Sequence, residues 1–221
     1  MTTQRTSTLN RRITAYHEAA HAVLALRFGI RIHDMAISRN DVRAGHVRFL
    51  LSSLACKVNS SGGQLSDVTW ALLLRNAEHR VMICLAGPIA EAKLLGMPLR
   101  AHCCESDLDK CHRLCVAADE VRRYLAGKQA APVALEAPEA MANRLRRRTL
   151  ATLAHPNIWR AVTALARDLD GWGQLSGHDA SDTMQWTRRA KNQLDLLLPL
   201  PGVDPLADQL AMPEIPRRLA A

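Results

Sequence analysis

Two histidines separated by three residues are the strongest candidates for chemistry in this sequence. His17-Glu18-Ala19-Ala20-His21 is an HExxH motif. Residues four apart lie on one face of a helix, so both imidazoles can reach one Zn²⁺ ion at about 2.0–2.1 Å, with Glu18 held beside them. Zinc lowers the pKa of its bound water to about 7, and Glu18 can then accept the proton as water attacks a peptide carbonyl. The motif predicts His17 and His21 as metal ligands and Glu18 as the catalytic general base.

A third metal ligand must come from elsewhere in the chain, because a catalytic zinc site takes three protein ligands and keeps an open position. A histidine six residues after His21 would complete the metzincin pattern, but that residue is Arg27. Later segments offer candidates with imidazole, thiol or carboxylate groups: Glu91, His102, Cys103, Cys104, Asp107, Asp109 and His112. Their spacing alone leaves all of these candidates open.

The elements that must position these residues are mostly helical by their periodicity. Residues 13–28 repeat apolar positions every 3.6 residues and are followed by Gly29, which predicts the helix of the HExxH motif. A second helix is expected over residues 67–96, kinked or split at Gly87-Pro88 because proline removes a backbone donor. A third is expected over residues 105–125, which carry an apolar stripe on one face.

Residues 30–51 have a different pattern. Met35-Ala36-Ile37 and His46-Val47-Arg48-Phe49 alternate in polarity and are separated by Arg39-Asn40-Asp41, which predicts two short strands and a turn. Aromatic residues make up only 4% of the chain, which favours packed helices over a β-sandwich. The expected fold is therefore mainly α, with a small β-hairpin.

The expected domain organisation follows from the same patterns. Residues 1–126 form a core that carries the HExxH helix and the third-ligand helix, and residues 127–140 form a linker. Residues 141–198 form a C-terminal helical part of the same domain, with helices near 156–169 and 181–197. Residues 199–221 carry five prolines and are expected to form an irregular tail.

The charge and hydropathy of the chain bear on its partners and location. The formal net charge is +8, and the densest cationic run, Arg144 to Arg148, is interpreted as a solvated helix face because no nucleic-acid-binding motif accompanies it. Binding to nucleic acid is therefore not expected. The most apolar stretch, Val81 to Ala92, is too short for a membrane span, and the first thirty residues lack an apolar signal core. These features predict a cytoplasmic protein that does not bind membranes.

Six cysteines are expected to be reduced thiols in that compartment: Cys56, Cys84, Cys103, Cys104, Cys111 and Cys115. Their concentration between residues 103 and 115 leaves a structural zinc site as an alternative. Cys111 and Cys115 lie on the predicted apolar stripe, where a free cysteine behaves as a small hydrophobic residue. The adjacent pair Cys103-Cys104 lacks the two-residue spacing of a zinc knuckle.

Three segments, in order, resemble the proteolytic domain of the FtsH family. Residues 14–22 (Thr-Ala-Tyr-His-Glu-Ala-Ala-His-Ala) are similar to the family's zinc helix, and residues 85–91 resemble its Gly-x-x-Ala-Glu helix. Residues 105–108 (Glu-Ser-Asp-Leu) lie where the family has a polar run ending in Asp-Leu. The resemblance implies a helical zincin-like fold, with Asp107 as the third ligand and Glu91 as an outer partner that orients a ligating histidine. Helical geometry agrees, because Asp107 shares a face with Cys111 whereas Asp109 points to the other side.

The same resemblance bears on substrate and partners. Residues 44–47 resemble the family strand beside the active-site cleft, so Gly45, His46 and Val47 are expected to pair with an extended peptide or unfolded protein substrate. The sequence contains no GxxxxGK[ST] phosphate loop and no transmembrane segment, so cleavage without ATP is expected. A homo-oligomer and a separate ATPase are candidate partners by this resemblance.

Three functions are compatible with these features. The first is a zinc-dependent, ATP-independent endopeptidase that uses metal-activated water. The second is a catalytically inactive FtsH-protease-like module that binds a peptide or a partner; the presence of Glu18 favours the enzyme, since a binding module needs no base. The third is a basic nucleic-acid-associated protein with a fortuitous HExxH motif.

Overall fold

Five long helices and a small sheet make up the described part of the chain. The structure is a computed structural model that describes residues 2–50, 67–99, 105–127 and 136–183. The elements, in chain order, are α1 (Thr2–Arg27), β1 (Ile32–Ile37), β2 (Gly45–Phe49), α2 (Asp67–Leu95), α3 (Glu105–Gly127), α4 (Pro138–Ala154), α5 (Pro156–Trp172) and β3 (Gln174–Ser176). Residues 177–183 are again helical. The expectation of a mainly α fold is confirmed.

The sheet is antiparallel, with the strand order β2-β1-β3. The predicted hairpin is confirmed: β1 pairs with β2, with Met35 opposite Val47 and Ile37 opposite Gly45. The third strand was not predicted. It contains only three residues, of which Leu175 alone is buried, and so short a segment carries no alternation to recognise.

Helix α1 is the centre of the core. It packs against α2 and α5, while α3 and α4 pack against α2. Its middle turns are rich in fully buried alanines, including Ala15, Ala19 and Ala20. Small side chains let neighbouring helices approach closely, so the HExxH turn is enclosed by α2 and the sheet. The helix also begins earlier than the predicted Ile13. Its first turns are polar and carry no apolar period, so the sequence pattern did not show where the helix begins.

Helix α2 runs through Pro88 without a break. The helix was predicted to be kinked or split at Gly87-Pro88; the split is wrong, and the kink stays a prediction. Proline removes the backbone donor that would bond to the carbonyl of Cys84. Leu85 and Ile89, on either side of it, are almost fully buried, and this burial offsets the local cost.

Helix α4 was only partly anticipated. It begins at Pro138, so the last residues of the predicted 127–140 linker are helical. Its Arg144 side chain is not simply solvated, since it bonds Glu78 at 2.9 Å and Glu136 at 2.7 Å, whereas Arg147 and Arg148 are exposed as expected. The tail at 199–221, and the predicted 181–197 helix beyond residue 183, lie outside the described residues. Among the described helices, none has an apolar stretch long enough to cross a bilayer.

Candidate metal centre

The HExxH motif lies in the middle of α1, and the helix turns all three of its polar residues towards α2 and β2. Glu18 and His21 are buried, and His17 is partly buried. The two imidazole rings meet edge to face, with their centroids 4.6 Å apart. One turn of helix therefore presents both rings to the same small volume, as the spacing predicts.

Asp107 completes the group from a different helix. It stands in the first turn of α3, and its Oδ2 atom is 3.0 Å from His17 Nε2 and 3.2 Å from His21 Nε2. One ligand atom from each of the three residues lies within 4.8 Å of the other two, so His17, His21 and Asp107 could hold a metal ion. No other group of His, Cys, Asp and Glu residues in the described ranges has this property.

The outer nitrogen of each imidazole is already occupied. His21 Nδ1 lies 2.6 Å from the carbonyl oxygen of Ile83, which can only accept a hydrogen bond, so the proton of a neutral His21 must be on Nδ1. His17 Nδ1 lies 2.8 Å from Glu91 Oε1. With both protons on Nδ1, the two Nε2 lone pairs face each other and a carboxylate oxygen without a donor between them. A bound cation would satisfy all three acceptors, which is the usual arrangement around a histidine-bound metal.

In the metal-free protein, a proton can take the place of the cation between these acceptors. Burial lowers the pKa of His17, but its hydrogen bonds to Asp107 and Glu91 outweigh that effect and raise the pKa to about 10. Burial raises the pKa of Asp107, yet its bonds to His17 and His21 hold it well below the usual range. An imidazolium between two carboxylates is thus the metal-free alternative, and a metal ion must displace its proton.

Glu18 is held beside this group with little contact with water. It is 6% exposed, and burial raises its pKa, against the opposing charges of His21 and His17. The backbone of β2 packs directly on it, because a Cβ atom built on Gly45 would lie 2.7 Å from both Cγ and Oε1 of Glu18. A carboxylate with a raised pKa, fixed in a cleft, has the properties of a general base.

A glycine in α2 makes room for the imidazoles. A Cβ atom built on Gly87 would lie 2.5 Å from His17 Nε2 and 2.5 Å from His21 Nε2. Any side chain here would occupy the space into which both lone pairs point. Gly87 and Glu91 are four residues apart in α2, so one face of that helix supplies both the space for the centre and the partner of His17.

An open cleft of about 370 Å³ leads to the centre. The predicted strand residues Gly45, His46 and Val47 line it, together with the metal-centre residues and Glu91. Strand β2 is at one end of the sheet order, so its outer edge has no partner strand among the described residues. The cleft also contains Arg43, Cys84 and Lys110, which the sequence did not single out.

The remaining third-ligand candidates that the structure describes are not part of the three-residue group. Asp109 and His112 are not in the three-residue group, and His102, Cys103 and Cys104 lie outside the described residues. Burial raises the pKa of the Cys84 thiol to about 11, so in the metal-free protein it is a neutral thiol at neutral pH. Cys84, Cys111 and Cys115 are free thiols.

No protein-family model matches the chain, and no curated protein matches it at a significant level. The geometry of the metal centre and its cleft therefore carries the functional argument.

Proposed function

We propose that this protein is a zinc-dependent, ATP-independent endopeptidase with an FtsH-protease-like catalytic domain. The observation that carries the proposal is the convergence of His17 Nε2, His21 Nε2 and Asp107 Oδ2 beside a buried glutamate in an open cleft. The resemblance supports it, because the segments that resemble the family's three motifs lie on α1, α2 and α3 and meet at this one place.

The donor set suits zinc, since imidazole nitrogen and carboxylate oxygen are common ligands in catalytic zinc sites. Two histidines and one carboxylate can also hold Fe²⁺ in oxygenases. Glu18 distinguishes the two readings, because hydrolysis requires a base next to the metal. A bound zinc ion would act as a Lewis acid that polarises a peptide carbonyl and lowers the pKa of water to about 7.

The chain's own residues have separate roles in this mechanism. Glu18 accepts a proton from the attacking water and then donates it to the leaving amine, from its buried position beside the two histidines. Glu91 and the Ile83 carbonyl fix the orientation of the two rings. The outer edge of β2, which has no partner strand in the described part of the chain, can pair with the backbone of an extended peptide and bring its carbonyl to the centre.

The zinc content of the purified protein tests the centre. We expect about one zinc per chain in the wild type, and strongly reduced zinc in His21→Ala and Asp107→Ala. Glu18→Gln should keep the zinc and lower the cleavage rate of an unfolded protein by about 10²–10⁴-fold, because it removes only the base.

Four results would contradict the proposal. Zinc that survives both ligand substitutions must be bound elsewhere, and iron in place of zinc would indicate the oxygenase chemistry. Undiminished cleavage by Glu18→Gln would exclude the role of the base. A zinc-loaded wild type that binds peptides but never cuts them would instead indicate the binding module.

By the same resemblance, a homo-oligomer and a separate cytoplasmic ATPase that delivers unfolded chain belong to this proposal.

A further inference from the structure

The charged groups of the cleft are arranged by depth. The acidic ones are in the floor: Glu18 and Asp107 are buried, and Glu91 is bonded to His17. The basic side chains of Arg43 and Lys110 are at the rim, where Arg43 is exposed and the Lys110 side chain is 55% exposed. A ligand entering from solvent therefore meets cations first.

The two rim cations come from different elements and differ in what they contact. Arg43 lies in the turn between β1 and β2, and no carboxylate of the described residues forms an ion pair with its guanidinium. Lys110 lies on α3, one turn after Asp107, with its Nζ atom 3.1 Å from Asp107 Oδ1. A metal ion at the centre would compete with Lys110 for the charge of Asp107, which frees the ammonium to contact a ligand.

The next cation along the hairpin is not available in the same way. Arg48 is bonded to Asp34, and this contact, together with burial that opposes it, sets the pKa of Asp34 at about 2. The charge of Arg48 is thus neutralised by Asp34 in the neighbouring strand. Of the Arg and Lys residues that the structure describes, Arg43 and Lys110 line the cleft.

We propose, on the basis of the peptidase function above, that Arg43 and Lys110 select substrates with a carboxylate close to the bond that is cut. Arg43 precedes Gly45 by two residues, so it stands where the substrate-pairing edge of β2 begins. Opposite charges placed at the mouth of a cleft raise both the association rate and the specificity. The net charge of +8 acts in the same direction at longer range.

A carboxylate on a peptide agrees with this cleft better than a phosphate backbone does. Nucleic-acid binding draws its affinity from many phosphate contacts at once, whereas the described residues place two cations, Arg43 and Lys110, at the rim. The carboxylates of Glu18 and Glu91 lie beneath them and would repel a polyanion. The required carboxylate can come from an acidic side chain or from the substrate's C-terminus.

Binding to the zinc-loaded Glu18→Gln protein tests the inference separately from catalysis. The probes are fluorescent peptides that differ only by Glu or Gln at one position, each made with a free or an amidated C-terminus. We expect the carboxylate-bearing peptide to bind about fivefold more tightly at low salt, and the preference to shrink near 1 M salt, where the Debye length is about 3 Å.

Substitutions of the rim give the matched comparison. Arg43→Gln and Lys110→Gln should each reduce the carboxylate preference, with zinc content measured because Lys110 contacts Asp107. Arg39→Gln, in the same turn, and Arg113→Gln, further along α3, remove exposed cations that do not line the cleft. Both controls should keep the preference.

The outcomes separate this inference from the peptidase itself. Tighter binding of the Glu peptides than of the Gln peptides identifies the side-chain carboxylate, and tighter binding of the free than of the amidated peptides identifies the C-terminus; either supports the inference. Equal binding of all four peptides overturns it, as does an equal loss in the control variants or an oligonucleotide that binds more tightly than the acidic peptide. Cleavage that does not depend on the charge of the peptide would contradict this inference and leave the proposed peptidase function intact. Charge-dependent binding without cleavage would contradict only the peptidase function.

Discussion

The two histidines of the metal centre are held in different ways. A backbone carbonyl, that of Ile83, orients His21, and the side chain of Glu91 orients His17. A backbone acceptor cannot be removed by substitution and is set by the position of α2, whereas Glu91 is a replaceable side chain. The orientation of His17 thus depends on one residue, and the orientation of His21 on the packing of a whole helix.

Gly87 provides a sharp test of the site at the scale of one residue. We expect Gly87→Ala to abolish zinc binding with the fold retained, because the new methyl group would lie 2.5 Å from both Nε2 atoms. Zinc content and the circular dichroism spectrum give the two readouts. Gly171→Ala is the matched control, since Gly171 is also helical and a Cβ atom there meets nothing within 4 Å; it should keep the zinc. A zinc-replete Gly87→Ala protein would show that the metal does not occupy this space.

The sequence predicted some of these residues and could not predict others. His17, Glu18 and His21 follow from their spacing within one helix, and Asp107 and Glu91 followed from the resemblance. The carbonyl of Ile83 and the contact of Gly45 with Glu18 join elements distant in the chain, and no local spacing encodes them. Gly87 could have been noticed through its four-residue offset from Glu91. Its closeness to the imidazoles, however, is visible only once the helices are packed together.

At the scale of elements, tertiary packing overrides local rules in two places. Pro88 should interrupt a helix, yet α2 continues because its apolar residues are buried against α1. Strand β3 is too short for its own pattern, yet it pairs with β1, placing Leu175 opposite Met35. In both cases the neighbouring element supplies the stability that the segment lacks. Long amphipathic segments such as α3 were correctly predicted because their own pattern determines where they pack.

The contact between β2 and α1 leads to a prediction about catalysis. We expect Gly45→Ala to lower kcat by at least about tenfold without loss of zinc, because its methyl group would displace the carboxylate of Glu18, which lies 2.7 Å from the Cβ position. Zinc content and steady-state kinetics separate the two effects. Gly127→Ala, at a position where a Cβ atom meets nothing within 4 Å, is the control. Unchanged kcat in Gly45→Ala would show that the position of Glu18 tolerates displacement of the hairpin.

At the scale of the whole molecule, the candidate metal centre joins α1, the central helix, to α3. His17 and His21 belong to α1, Asp107 to α3, and α2 packs against both. A ligand that binds only the folded state stabilises it by about 2.7 kcal/mol at a free concentration one hundred times its Kd. Zinc should therefore raise the melting temperature of the whole domain, because it links helices on both sides of α2.

The stability of the metal-free protein should fall as the pH rises above 6.5, and bound zinc should remove that dependence. The raised pKa of His17, about 10, means that the metal-free folded protein binds a proton that the unfolded chain releases near pH 6.5. The stabilisation from the protonated His17 is complete below pH 6.5 and is lost as the pH rises through 10. Zinc competes with that same proton, so the increment in melting temperature caused by zinc should grow over the same range.

Thermal melts of wild type and Asp107→Asn, with zinc or with chelator at pH 6.5 and 9, test this prediction. Asp107→Asn removes both a metal ligand and a carboxylate that raises the His17 pKa, while keeping nearly the same shape. Its metal-free melting temperature should depend less on pH than that of the wild type, and its response to zinc should be small at both pH values. A metal-free wild type whose pH dependence equals that of the variant would show that no shared proton holds the centre together, and that its histidines are neutral before the metal binds.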